Sequence, residues 1–95
     1  MTIIERTIEI TDAQYKAIKD LRTGTRYEAL DAVAKILGLR TSQKATWSSS
    51  RKTIIYDDVT IAEITYSKGK VVSLQFYDKS RNPEICIHYN TYNFK

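Results

Sequence analysis

The chain has 95 residues, of which 42% are hydrophobic and 27% charged, and its formal net charge is +4 at pH 7. This length and composition predict a single globular domain, residues 1–95, with a modest core, and argue against disorder and against a large enclosed substrate cavity. Because no apolar run reaches ~20 residues, the first residues lack a signal-peptide layout and only one cysteine is present, we expect a cytoplasmic protein without a membrane span.

The first third of the chain predicts one strand and two short helices. Apolar and polar residues alternate over residues 2–10, which is typical of a half-buried strand. Residues 11–14 and 25–28 each match a capping box, in which a threonine and a Gln or Glu three positions later exchange hydrogen bonds at a helix start. Gly24 and Gly38 are placed to end the two helices in a left-handed conformation. The apolar face of the predicted strand consists of Ile4, Ile8 and Ile10.

The second half of the chain predicts only strands. β-Branched and aromatic residues cluster in four runs, separated by Asp57 and Asp58, by a tight turn at residues 67–70 and by a polar loop at residues 78–83. The resulting order β-α-α-β-β-β-β predicts a single α+β domain with the helix hairpin packed on one face of a mainly antiparallel sheet. The other sheet face would meet water, a protein partner or a second copy in a homodimer. The four predicted strands are residues 53–56, 59–66, 71–77 and 84–94.

Residues 40–53, RTSQKATWSSSRKT, form a basic segment between the predicted helices and strands. The segment holds seven hydroxyl side chains, four cations, the only tryptophan of the chain and no acid. The cations fit phosphates, the hydroxyls add uncharged donors, and Trp47 fits a stacking contact with an unpaired base. The same pattern also fits a solvated basic face with Trp47 folded back into the core. The candidate binding residues of the segment are Arg40, Lys44, Trp47, Arg51 and Lys52.

A second candidate surface consists of aromatic residues on the polar side of the predicted strands. Strand alternation places Tyr77, His88 and Tyr92 on that side. Such a surface is typical of a stacking platform for RNA bases, or of a protein interface, where tyrosine is also favoured. Both interpretations make the uncovered sheet face functional.

Signatures of catalysis and of metal or cofactor binding are weak in this sequence. Cys86 and His88 lie two residues apart on one strand face, but a standard zinc site needs further ligands. The glycines form no phosphate loop, and the adjacent Asp57 and Asp58 suit a turn better than acid–base chemistry. The second helix mixes acids and bases on its outer side, which argues against a DNA recognition helix. The sequence therefore predicts no cofactor or metal and favours a binding protein over an enzyme.

Two resemblances to known groups of small proteins extend this interpretation. Residues 59–66 and 70–77 look like the central hairpin of the RelE/ParE toxin superfamily, whose strand–two helices–antiparallel sheet order is similar, although the arginine expected before that hairpin is absent. This resemblance implies a ribosome-dependent ribonuclease. A short chain without catalytic signatures is also similar to accessory proteins of phages and mobile elements, including anti-restriction and anti-CRISPR proteins, which occlude a surface on a larger machine. The groups that the first resemblance implies for holding phosphate and moving a proton are Lys52, Arg81, His88 and Tyr92.

Three functions follow, in order of preference. The first is a small non-enzymatic protein that engages nucleic acid or a nucleoprotein machine through residues 40–52. The second is an inhibitor of the phage-accessory type that binds a protein target through the open sheet face. The third is a ribonuclease of the RelE/ParE type.

Overall fold

The described residues form two helices and seven strands. The structure, a computed structural model, describes residues 1–45, 50–80 and 82–94. One strand precedes the two helices and six strands follow them. In chain order the elements are β1 (Thr2–Arg6), α1 (Asp12–Asp20), α2 (Arg26–Leu37), β2 (Arg40–Ala45), β3 (Ser50–Ile55), β4 (Thr60–Ser67), β5 (Lys70–Asp78), β6 (Ile85–Tyr89) and β7 (Thr91–Asn93).

The strands form a five-stranded antiparallel sheet and a separate two-stranded parallel sheet. The larger sheet has the order β2-β3-β4-β5-β7, and the smaller sheet pairs β1 with β6. Helix α2 packs on β2, β3 and β4, while α1 packs on α2 and β5. The predicted α+β class, with a helix hairpin on one face of a mainly antiparallel sheet, is confirmed.

The described part of the basic segment belongs to a β-hairpin. Strands β2 and β3 pair as an antiparallel hairpin along their whole lengths, from Arg40 opposite Ile55 to Ala45 opposite Ser50. The apolar alternation by which a strand is recognised begins only at residue 53, because most residues of these two strands are Ser, Thr, Gln, Lys or Arg. Strand β2 therefore forms one edge of the larger sheet, and together with β3 it makes a long polar hairpin.

The helix ends follow the capping signals, with two differences. The Thr11 capping box forms both of its hydrogen bonds. At α2 the Thr25 hydroxyl accepts from the Glu28 N–H as predicted, but the Glu28 carboxylate accepts from Gly24 instead of from Thr25. Gly38 ends α2 with φ 73°, as predicted. The prediction that Gly24 ends α1 is wrong, because α1 stops at residue 20 with an extended residue after it.

One hydrophobic core lies between the helices and the larger sheet. It extends to Ile8, which is only 3% exposed although β1 stops two residues earlier, at Arg6. Ile4, predicted on the same buried face, is 42% exposed. The predicted strand over residues 2–10 is therefore right only for its first part. The larger buried members of the core are Ile8, Ile18, Leu30, Val33, Ile54, Ile64, Val71, Leu74, Phe76 and Phe94.

Side chains from the C-terminal part take the place of a strand partner for residues 8–10. The amide oxygen of Asn90 accepts from the Ile8 N–H at 2.8 Å, and its NH₂ donates to the Ile8 carbonyl at 2.9 Å. The Tyr92 hydroxyl donates to the same carbonyl at 2.6 Å and accepts from the Ile10 N–H at 3.2 Å. Asn90 thereby separates β6 from β7, so the predicted single strand over residues 84–94 is split between the two sheets.

We predict that Asn90→Ala lowers the free energy of unfolding by about 2–3 kcal/mol, because it removes two hydrogen bonds to the backbone of a buried residue. The measurement is urea unfolding followed by circular dichroism. Asn93→Ala is the matched control: Asn93 is exposed in β7, and its replacement should change stability by no more than about 0.5 kcal/mol. Equal effects of the two substitutions would contradict the role given to Asn90.

Candidate nucleic-acid interface

The two faces of the β2–β3 hairpin differ in what they contact. Thr41 of β2 and Lys52 of β3 donate hydrogen bonds to the carboxylate of Asp31, at 3.3 and 2.8 Å, so this face lies on α2. Ser42 and Thr53 stand on the opposite face, where their hydroxyl oxygens are 3.2 Å apart. We call this opposite side of the hairpin its outer face.

The outer face carries a concentration of positive charge. Strand alternation places Arg40 and Arg51 there beside the two hydroxyls, and both arginines are exposed. The backbone register sets Lys44 directly opposite Arg51, and like charges in that position destabilise a strand pair unless an anion relieves them. No acid occurs between residues 32 and 56, so the local field favours anions.

Lys52 has a different position from the other cations of the segment. Its ammonium nitrogen lies 2.8 Å from the Asp31 carboxylate, and its side chain is 21% exposed. The sequence predicts a contact with the partner for this residue, whereas the structure gives it an ion pair that holds the hairpin on α2. A neutralised, partly covered lysine contributes less to a phosphate-binding surface than Arg40 or Arg51 does.

Three of the predicted site residues are described only in part or not at all. Trp47 and Arg81 lie outside the described residues, so the alternatives of a stacking and a core tryptophan stay open. Lys44 is described by its backbone position in β2 alone. The described cations of the candidate interface are therefore Arg40, Arg51 and Lys52.

The three aromatic residues predicted to share one sheet face do not share it. Tyr77 is 42% exposed and donates a hydrogen bond to Gln75, on the face of β5 that points away from the core. Tyr92 pairs with the buried Leu74 and packs against the core. His88 belongs to the smaller sheet, where its Nδ1 lies 3.2 Å from a carboxylate oxygen of a β1 residue, Glu5. The expected platform is wrong because strand alternation does not continue through the break at residue 90.

The described residues that the toxin resemblance implies contact different parts of the domain. Lys52 is paired with a carboxylate of α2, His88 with a carboxylate of β1, and the Tyr92 hydroxyl with the backbone of residues 8 and 10. Each of these described groups has a structural partner in a different part of the domain. A ribonuclease activity stays a prediction that the geometry does not favour.

A network that the sequence did not predict fixes the end of the hairpin. The guanidinium of Arg6 donates to Asp57 at 2.9 Å and to Thr60 at 3.0 Å, at the turn that joins β3 to β4. Its carbon lies 5.9 Å from the ring centres of Tyr56 and Tyr89, which is a cation–π distance. The contacts join residues at least fifty positions apart. The only sequence signal was a charged residue, Arg6, among the apolar positions of a strand pattern.

The same network shifts the pKa of the Asp57 carboxyl. Partial burial raises this pKa, but hydrogen bonds from the Val59 N–H and from Arg6 outweigh the burial, so the pKa lies below its ordinary value of 3.8. The hydrogen bond with Asp57 in turn raises the pKa of Arg6. Asp57 is therefore ionised at neutral pH and available to hold Arg6.

Comparison with known proteins identifies no relative: no family model, no curated protein and no solved structure matches the chain. The fold and the site alone define the class, an α+β domain with a cationic β-hairpin. Within the described ranges, no helix has the length and apolar character needed to cross a membrane. The same part of the chain contains no group of three or more His, Cys, Asp or Glu side chains arranged to hold a metal ion.

We predict that Asp57→Asn destabilises the protein at pH 7 by about 1–2 kcal/mol, since a charge-assisted hydrogen bond is lost at a site that is about one-third exposed. A lowered carboxyl pKa in the folded state stabilises the fold above pH 3.8, and this stabilisation disappears as the pH falls through the lowered pKa. The difference between wild type and variant should therefore shrink as the pH falls below 3.8, as measured by urea unfolding at a series of pH values.

The control for this experiment is Asp58→Asn, which removes the same charge from the exposed neighbouring residue. It should leave stability within about 0.5 kcal/mol at every pH. A loss in Asp57→Asn that stays constant down to pH 2 would refute the ionic contribution and leave only a packing effect.

Proposed function

We propose that this protein is a small non-enzymatic binding protein that engages nucleic acid, or a nucleoprotein machine, through the outer face of the β2–β3 hairpin. The observation that carries the proposal is the strand register, which sets Lys44 opposite Arg51 in a stretch without acids. An anion bound between two opposed cations would relieve their repulsion and thereby stabilise the strand pair. A chain of phosphates supplies such anions at regular spacing.

The shape of the hairpin supports the same partner. Strand β3 pairs with β4 only through Ile54 and Ile55, so its earlier residues pair with β2 alone and form a two-stranded ribbon with it. A ribbon of this kind fits the major groove of B-DNA, which is about 12 Å wide. It can also lie along a single-stranded nucleic acid. Guanidinium groups bind phosphate in a bidentate manner, and the hydroxyls of Ser42 and Thr53 add neutral donors.

We predict that the triple variant Arg40→Gln/Lys44→Gln/Arg51→Gln weakens oligonucleotide binding. Each phosphate contact contributes about 0.7–0.9 to the slope of log K against log salt concentration, so the slope should fall by about 2–3. The measurement is fluorescence anisotropy with labelled single-stranded and duplex oligonucleotides between 50 and 200 mM salt, the range over which such contacts lose most of their affinity (roughly 10³–10⁵ for six to ten contacts).

The matched control is Lys16→Gln/Lys19→Gln/Lys79→Gln, which removes the same charge from exposed lysines of α1 and of the segment after β5. This control should change the slope by less than about one, because it alters only the net charge. Equal effects of the two triple variants, or failure of the wild-type protein to bind either oligonucleotide at low salt, would overturn the proposal.

A groove farther along the same sheet face, at β4 and β5, favours the second candidate function, an inhibitor that occludes a protein target. The groove has a volume of about 690 Å³ and lies between the outer surface of β4 and β5 and the strand β6. Its apolar members include Met1, Tyr77 and Ile85, which are 85%, 42% and 37% exposed. Exposed apolar and aromatic residues around a concave surface are typical of protein interfaces.

We predict that Tyr77→Asp abolishes capture of any protein target from a lysate of the source cells, while the hairpin triple variant retains it. The matched control is Val59→Asp, which introduces the same charge at a residue that is 45% exposed outside the groove. Quantitative mass spectrometry of the captured proteins is the measurement. A target lost with the hairpin variant and kept with Tyr77→Asp would reject this second function.

A further inference from the structure

A cleft opens where strand β3 separates from β4. The two strands pair only at Ile54 with Ala62 and at Ile55 with Ile61, so the earlier residues of β3 diverge from β4. The first turn of α2 closes the space between them, which has a volume of about 300 Å³. Because the cleft lies at the strand edges, residues of both hairpin faces reach it. The polar and aromatic residues that line the cleft are Arg26, Tyr27, Arg51, Lys52, Thr53 and Glu63.

We propose that this cleft is a nucleotide subsite, in which the cations hold one phosphate ester and the Tyr27 ring contacts the attached base. The proposal deepens the function proposed above. It rests on that function when the phosphate belongs to a nucleic-acid strand bound on the hairpin. A free nucleotide presents the same chemistry and is the other source.

The charge of the cleft matches a single phosphate. Three cations and one carboxylate line it, which gives a net charge of +2, and counting the Asp31 partner of Lys52 lowers this to +1. The Arg26 guanidinium lies 3.8 Å from Glu63, and both side chains are about half exposed, so this ion pair is weak and leaves Arg26 able to bind a ligand. A phosphodiester carries one negative charge and would neutralise the cleft.

The position of α2 adds a second source of positive potential. Arg26 and Tyr27 are the first two residues of this twelve-residue helix, and the partial positive charge of the helix dipole lies at this end. The volume of the cleft is at the lower limit of the ~300–1,000 Å³ typical of small-molecule sites, which suits one nucleotide unit rather than a longer segment. Tyr27 lines the cleft and is 45% exposed as a residue, and its aromatic ring is of the kind that stacks on a base.

The decisive test uses two substitutions that change the cleft charge in opposite directions. Arg26→Gln should weaken binding of adenosine monophosphate by about tenfold, because it removes a charge-assisted hydrogen bond. Glu63→Gln should strengthen binding several-fold, because it removes a carboxylate that repels the phosphate. Isothermal titration calorimetry and NMR titration of the amide signals of α2 and β3 are the measurements, with circular dichroism to verify that each variant is folded.

Arg22→Gln is the matched control, since it removes one exposed arginine outside the cleft, and it should leave the affinity unchanged. Adenosine and inorganic phosphate, tested separately, should each bind more weakly than the nucleotide. The proposal is overturned if Arg26→Gln and Glu63→Gln shift the affinity in the same direction or not at all. It is also overturned if an aspartate-rich peptide displaces the nucleotide with higher affinity, which would make the cleft a peptide site.

Comparing oligonucleotide binding with nucleotide binding distinguishes failure of the hairpin proposal from failure of the subsite proposal. If the hairpin triple variant loses oligonucleotide binding while Arg26→Gln leaves nucleotide binding unchanged, the hairpin function stands and the subsite is rejected. If the nucleotide binds with the expected charge dependence but no oligonucleotide binds, the subsite stands with a free nucleotide as its ligand and the hairpin proposal fails.

Discussion

The guanidinium of Arg6 makes contacts that join the two sheets of this domain. It extends from β1, in the smaller sheet, to Asp57 and Thr60 at the turn between β3 and β4 of the larger one. Thr60 is fully buried and its hydroxyl lies 2.9 Å from the hydroxyl of Tyr89 in β6, so both strands of the smaller sheet reach the same turn. A single charged side chain thus fixes where the hairpin leaves the sheet, and with it the position of the candidate interface.

The second junction uses side chains where a strand would use its backbone. After Arg6 the chain leaves β1 and becomes buried at Ile8, which places backbone polar groups away from water without a neighbouring strand. Buried groups of this kind need partners, and Asn90 and Tyr92 supply them. The arrangement lets the C-terminal part pair first with β1 and then with β5, and Phe94, directly after the last strand, is buried in the core.

Local signals in the sequence predicted the parts of the fold that depend on neighbouring residues. The capping threonines, the left-handed Gly38 and the tight turn at Lys68 and Gly69, with φ of 51° and 84°, need only residues close in the chain. The sequence could not reveal the hairpin strands, whose polar residues lack an apolar period, nor the break at Asn90, whose cause is a bond to a residue 82 positions away. For the site, the cations were predictable as a group. The pairing of Lys52 with α2 was not, because it depends on the tertiary packing.

The charge of the hairpin has an alternative explanation in the protection of an exposed edge. Strand β2 is an edge of the larger sheet, and charged residues on edge strands prevent pairing between molecules. This explanation accounts for Arg40 and Lys44, which lie on the edge strand itself. It does not account for the setting of Arg51, which lies opposite another cation and beside a cleft with two more. Edge protection does not require two cations directly opposite each other, whereas an anion bound between them would gain from both, and Arg51 is the residue shared by the outer face and the cleft.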